Sequence, residues 1–117
     1  MSANKRGKWV EYRAFALKLA TEAGSVAATN FGAIEARRKR DGTLVTASDE
    51  QLDRNIATAL RAAYPSHAIL SEEQATLYDP KVAFTWVVDP IDGTTNFARG
   101  VPLWGVSIAL LWHGDPV

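Results

Sequence analysis

Trp86-Val87-Val88-Asp89-Pro90-Ile91-Asp92-Gly93-Thr94-Thr95-Asn96-Phe97 decides the reading of this chain. Phe84 to Val88 is β-rich and apolar enough to form a buried strand, and Pro90, which lacks a backbone donor, is expected to halt its ladder. Asp89 and Asp92 then stand at a sheet end. Hard divalent cations take oxygen ligands, so two carboxylates three residues apart across a tight turn, with the Ile91 carbonyl between them, can hold one or two ions. Gly93 allows close backbone approach to an anion, and the amides of Gly93, Thr94 and Thr95 can point at a phosphate if a helix or turn begins there. The same residues also suit an Asx-turn in which Asp92 caps the following element.

Two upstream segments carry related chemistry. Ser71-Glu72-Glu73 follows the short strand His67-Ala68-Ile69-Leu70, which itself follows the turn Tyr64-Pro65-Ser66. Tandem glutamates often lie on solvated loops. If the two strands share one sheet, however, their ends bring Glu72, Asp89 and Asp92 into one cluster, and like charges so packed repel strongly without a cation. In Val45-Thr46-Ala47-Ser48-Asp49, Thr46 precedes Asp49 by three residues, ahead of an apolar series at Leu52, Ile56, Ala59 and Ala63. That is a helix start with Asp49 in its first turn. Asp49 could also orient a water or a hydroxyl near bound metal.

Taken together, these blocks resemble the inositol monophosphatase family of lithium-sensitive, Mg²⁺-dependent sugar phosphatases. The resemblance runs from about Val45 to the C-terminus and is most specific at Asp89-Pro90-Ile91-Asp92-Gly93-Thr94. It implies that Glu72, Asp89, the carbonyl of Ile91 and Asp92 ligate Mg²⁺, and that Glu72 also aligns the attacking water. Thr94, paired with Asp49, would help deprotonate that water, and the amides of Gly93 and Thr94 would hold the phosphate. Two positions depart from the family pattern: Ser71 stands where most members have Gly, and Asp53 where many have Glu. Members of the family are more than twice as long, with a further metal-binding Asp and much of the substrate pocket in their C-terminal half. The expectation is therefore that these residues form the N-terminal portion of a longer enzyme, with Gly105 to Trp112 a strand, His113-Gly114-Asp115-Pro116 a turn, and Val117 opening a further strand.

Composition narrows the alternatives. The chain has 117 residues, of which 47% are hydrophobic and 22% charged, as expected of one globular unit. Zero net charge and a pI near 6.7 give no general attraction for nucleic acid or anionic membrane. No cysteine is present, which excludes thiol chemistry and suits a reducing cytosol. No run approaches the ~20 apolar residues of a membrane span. A cytoplasmic protein that forms a homodimer at full length is expected.

Working outward, the residues from about Trp9 to Phe31 place Tyr12, Phe15, Leu19, Ala23 and Val26 on one helical stripe. Arg37-Arg38-Lys39-Arg40 before Asp41-Gly42 reads as a solvated hairpin edge; alternatively Lys39 balances the carboxylate cluster. His67 and His113 lack the neighbours that zinc or nucleophilic chemistry requires. The order of elements, with strands not separated by regular helices, predicts an α+β fold in which two helices cover a mixed, largely antiparallel sheet. The family resemblance implies a layered αβαβα sandwich, of which this chain forms roughly the first half.

Two functions from different classes follow. One is Mg²⁺-dependent hydrolysis of a phosphate monoester on a small polyol, with inositol monophosphate the leading substrate and histidinol phosphate or fructose bisphosphate as alternatives. Thr95-Asn96-Phe97 resembles the inositol-directed members more than the nucleotide-directed ones, which often carry a Lys soon after the Gly-Thr step. The other is a non-catalytic divalent-cation-binding or assembly domain.

Overall fold

A computed structural model of the chain describes residues 3–31, 36–38, 44–71 and 77–117. The elements in order are helix α1 (Ala3–Asn30), strands β1 (Ala36–Arg38) and β2 (Leu44–Thr46), helix α2 (Ala47–Ala63), strands β3 (Ala68–Ser71) and β4 (Phe84–Asp92), the short helix α3 (Thr94–Ala98), and strands β5 (Gly105–Trp112) and β6 (Asp115–Pro116). β1 and β2 form an antiparallel pair, and the main sheet has the order β3-β4-β5-β6. β3 is parallel to β4, and the β4–β5 and β5–β6 pairs are antiparallel. This is the α+β arrangement of two helices on a mixed, largely antiparallel sheet that the element order predicts. Asp41-Gly42 and the cations Lys39 and Arg40 lie outside the described residues, and Arg37 and Arg38 are placed on β1.

The core lies where α1 and α2 meet one face of the sheet. Tyr12, Leu19, Ala23 and Ala27 of α1 pack with Leu52, Ile56 and Leu60 of α2, with Trp86, Val88 and Ile91 of β4, and with Phe97 of α3. Strand alternation explains the β4 contribution, because Trp86 and Val88 point to the same face. Val26 is exposed while Ala27 is fully buried, against the expected stripe. The buried row follows the four-residue steps 19, 23 and 27, an i±4 ridge of the kind that seats in a neighbouring helix groove. Likewise Ala63 is exposed, and Leu60 with Ala57 completes the buried face of α2.

Three strand boundaries depart from expectation. Pro90 does not end β4: the ladder to β5 slips between Asp89, opposite Ser107, and Asp92, opposite Gly105. Three steps on β4 face two on β5, which is a bulge, and the missing Pro90 donor falls inside it. Asp115 and Pro116 belong to a strand, opposite Trp112 and Leu111. The turn is His113-Gly114 alone, with φ of 49° and 86°, and two successive positive φ values give the hairpin turn that matches strand twist. β3 begins at Ala68, one residue later than read from the sequence.

An aromatic cluster locks α1 to the sheet. Tyr12 meets Tyr64, His67, Phe84 and Trp86 edge-on, at centroid distances of 5.0 to 6.2 Å. Trp86 Nε1 donates to His67 Nδ1 at 3.0 Å, so that nitrogen is unprotonated here. Burial, and secondarily the Lys8 charge, hold the His67 pKa below its ordinary 6.5. A depressed histidine pKa means that below pH ~6.5 the unfolded chain takes up more protons than the folded one. Stability should be constant above that point and fall as pH drops from 6.5 toward the folded pKa. Melting temperature across pH 5 to 8 should show this decline, and His67→Asn should flatten it; a wild-type curve level through pH 5 would refute the assignment. Tyr64 donates its hydroxyl to Glu11 at 3.2 Å, and burial together with that carboxylate pushes its pKa up to about 12.

Candidate active site

The site is built where β4 runs through its bulge into α3. Asp89 is half-buried, with its Oδ1 atom withdrawn from solvent, and Asp92 is exposed two positions beyond the buried Pro90. The apolar side chain of Ile91 is buried in the core, which leaves its carbonyl available on the strand side. Thr94 Oγ1 lies 3.1 Å from that carbonyl oxygen and donates at 2.9 Å to Asp49 Oδ1. With a single hydroxyl hydrogen, Thr94 serves Asp49 through the shorter contact, and the Ile91 carbonyl stands as a second acceptor.

Asp49 reaches this point because of where α2 begins. β2 runs directly into α2 at Ala47, so Asp49 falls in the first turn with Glu50, where the helix N-terminus favours negative charge. The side chain is buried, 1% exposed. The helix-start reading of Asp49 holds, and in addition its carboxylate takes a hydroxyl hydrogen from Thr94, the first residue of α3.

Gly93 is the hinge of the arrangement. Its φ of 88° and ψ of 41° lie in the left-handed region, and it caps α3 without any side-chain hydrogen bond. The Gly93 carbonyl accepts from the Phe97 amide at 2.9 Å, which closes the first turn. The amides of Thr94 and Thr95, at the start of this turn, have no acceptor within the helix. The segment after α3 folds back over Gly93: the Leu103 carbonyl accepts from Asn96 Nδ2 at 2.9 Å and sits where a Gly93 Cβ would come to 2.7 Å. Asn96 was read from the sequence only as part of a family block. Its structural work is to pin that returning loop.

Glu72 and Glu73 lie outside the described residues. Parallel pairing sets Ser71, the residue before Glu72, opposite Val88, the residue before Asp89. Among the described residues no group of three or more His, Cys, Asp or Glu side chains converges as a metal site. The described donors Asp89, Asp92 and the Ile91 carbonyl are all hard oxygens, a set that fits a divalent cation such as Mg²⁺ and does not fit a soft metal.

Asp53, noted in the sequence only as a departure from the family pattern, is a second buried acid. Asp53 is 2% exposed and accepts a hydrogen bond from Ser71 Oγ. The available signal was its position one helical turn after Asp49, on the same face.

Comparison with known proteins agrees with this geometry. A profile of the inositol monophosphatase family matches residues 8–117. The Nus factor SuhB of Escherichia coli strain K12 is 38% identical over 102 residues, covering 85% of this chain and 38% of that protein. The histidinol-phosphatase of Mycobacterium tuberculosis is 41% identical over 106 residues, covering 86% of this chain and 39% of that protein. The structure of an IMPase from Thermotoga maritima superposes with a TM-score of 0.82 at 29% identity, over 91% of this chain and 41% of that one. The chain thus spans about two fifths of the length of these relatives. Matched over residues 8–117, nearly its whole length, the chain belongs to the inositol monophosphatase family.

Proposed function

We propose that this chain carries the metal-binding and water-activating part of a Mg²⁺-dependent phosphatase acting on a phosphate monoester of a small polyol, inositol monophosphate first among them. The observation that carries the reading is the Thr94 hydroxyl held between a buried carboxylate and the Ile91 carbonyl, at the strand end that presents Asp89 and Asp92. Asp89, Asp92, the Ile91 carbonyl and Glu72 would hold the ion. When bound, Mg²⁺ supplies an acidified water, neutralises phosphate charge and stabilises the leaving oxygen.

The chain's own groups do the rest. Because Thr94 gives its hydrogen to Asp49, its oxygen lone pairs are turned outward to accept a proton from water. That proton is relayed as the hydroxyl hydrogen passes to Asp49 Oδ1. Glu72 aligns the water, and the amides of Gly93, Thr94 and Thr95 donate to the phosphate oxygens. Asp49 is buried, so the relay works away from bulk water, where proton positions are held by geometry. The family acts on small phosphate monoesters; the polyol itself is our inference from Thr95-Asn96-Phe97. Likeness to a histidinol-phosphatase supports histidinol phosphate as the second candidate. We further place the complete gene product in the cytoplasm as a lithium-sensitive homodimer.

Binding to the folded state alone raises its stability, by about 2.7 kcal/mol at a hundredfold excess over Kd. Millimolar Mg²⁺ or Mn²⁺ should therefore raise the melting temperature of the complete gene product, and Asp92→Asn should remove the rise. The same protein should release phosphate from inositol monophosphate ahead of histidinol, fructose and adenosine phosphates. A metal-induced rise without turnover on any of these would favour the non-catalytic cation-binding domain. An unchanged melting curve would sink the site.

A further inference from the structure

We propose that the outer face of α1 is a self-association surface, taken by the α1 helix of a second copy of this chain lying antiparallel to it. The inference goes beyond the phosphatase reading, on which it does not depend, and gives the homodimer placed there a surface. Tyr12, Leu19, Ala23 and Ala27 turn one side of α1 to the core. The opposite side is where a surface helix ordinarily carries its charges. Val10, Ala14, Leu17, Thr21, Gly24 and Ala28 stand there instead, all exposed but the half-buried Gly24, and none is charged. Val10 is 59% and Leu17 68% exposed. One exposed leucine is ordinary, but an uncharged row along most of a helix marks a contact surface.

The spacing says what fits the row. Its positions alternate steps of four and three residues, the seam by which two helices interlock their side chains. Laid antiparallel on a copy of itself, about a twofold axis between Ala14 and Leu17, the row sets large against small. Leu17 meets Ala14 of the second copy, Val10 meets its Thr21, and Gly24 meets its Gly7. A Cβ at Gly7 or at Gly24 would touch nothing within 4 Å, so the space over both glycines is open to a partner's backbone.

Charge fixes the direction. Glu11 and Lys18 are exposed on one flank of the row, and the antiparallel register puts Glu11 of each copy beside Lys18 of the other, giving two ion pairs. Glu11 accepts from Tyr64 at 3.2 Å through Oε1, and its second oxygen can take the lysine. A parallel copy would set Arg13 beside Lys18, like against like. The contact from Gly7 to Gly24 is about 26 Å long and one helix wide, at the small end of specific interfaces, so a micromolar association is expected.

The test is sedimentation of the complete gene product across roughly 1 to 100 μM, with melting temperature read on the same samples. Wild-type mass should rise with concentration. Leu17→Glu, which puts a charge twice into the centre of the contact, should weaken association by about 100-fold or more and leave the melting temperature near wild type. Glu11→Lys and Lys18→Glu should each weaken it on the order of 10-fold, because each sets like charges together at both flanks. An equal mixture of those two variants should associate with near wild-type strength, since unlike copies restore Glu against Lys at both contacts. A folding fault in either variant could not produce recovery on mixing. A wild-type mass constant with concentration, a mass that Leu17→Glu leaves unmoved, or no recovery in the mixture would overturn the proposal. So would a lowered melting temperature in Leu17→Glu without a change of mass, which would show the row covered by another part of the same chain. Phosphate release is followed alongside: its absence in wild type would remove the phosphatase reading and leave this surface standing.

Discussion

Thr94→Ala should lower kcat on the order of 10²-fold while the Mg²⁺-dependent rise in melting temperature stays near that of wild type. The Thr94 hydroxyl donates to Asp49 at 2.9 Å and approaches the Ile91 carbonyl to 3.1 Å without being a proposed metal ligand. Its loss takes the proton acceptor away from the attacking water and takes a donor from a buried carboxylate, but leaves Asp89 and Asp92 in place. Thr94→Ser keeps the oxygen and should keep most of the rate. Because Thr94 and Asp49 act as one unit, Thr94→Ala combined with Asp49→Asn should cost little more than the worse single change. Steady-state phosphate release decides it. A kcat within twofold of wild type for Thr94→Ala would end the role assigned to this hydroxyl.

Gly93→Ala should be strongly destabilising. A side chain at φ 88° costs about 1–3 kcal/mol, and the added Cβ would meet the Leu103 carbonyl at 2.7 Å, closer than such atoms are found. That obstacle is backbone, held by Asn96 at 2.9 Å, so it cannot swing aside as a flexible side chain would. Adding the usual cost of overpacking gives on the order of 3 kcal/mol, a fall in melting temperature of roughly 10 °C for a domain of this size. Calorimetry on Gly93→Ala beside Gly24→Ala, where a Cβ meets nothing within 4 Å, isolates the effect. Equal melting temperatures for the two would show that the returning loop yields freely.

Those residues also show where sequence reasoning reaches and where it stops. α2 was legible to its ends, because Thr46 and Asp49 announce its start and Leu52 and Ile56 recur at helical spacing. The β4 block was legible as a strand that runs into a glycine turn and the start of a helix, since most residue types there have one strong local preference. Pro90 misled because a local rule, no donor and hence no ladder, was overridden by pairing that resumes at Asp92 opposite Gly105. Asp53 and Ser71 were each noted as departures from the family pattern, but not their contact or the burial of Asp53, because a carboxylate in a helix is ordinarily solvated and the two lie 18 residues apart. Nothing in local spacing joins two such residues. Val26 and Ala27 were exchanged because a 100° wheel cannot tell which of two adjacent edge positions meets the neighbouring helix.

The two hydroxyl grips along α2 also differ in the length of chain they close, 18 residues for Asp53 with Ser71 and 45 for Asp49 with Thr94. By loop-closure entropy the longer contact costs about 0.8 kcal/mol more to form. Folding should therefore dock the end of β3 on α2 early and seat the Thr94 turn late, beyond the rate-limiting barrier. Changes at Thr94 would then act chiefly by hastening unfolding, and changes at Ser71 by slowing folding. The groups assigned to chemistry would be the last to assemble and the first to open.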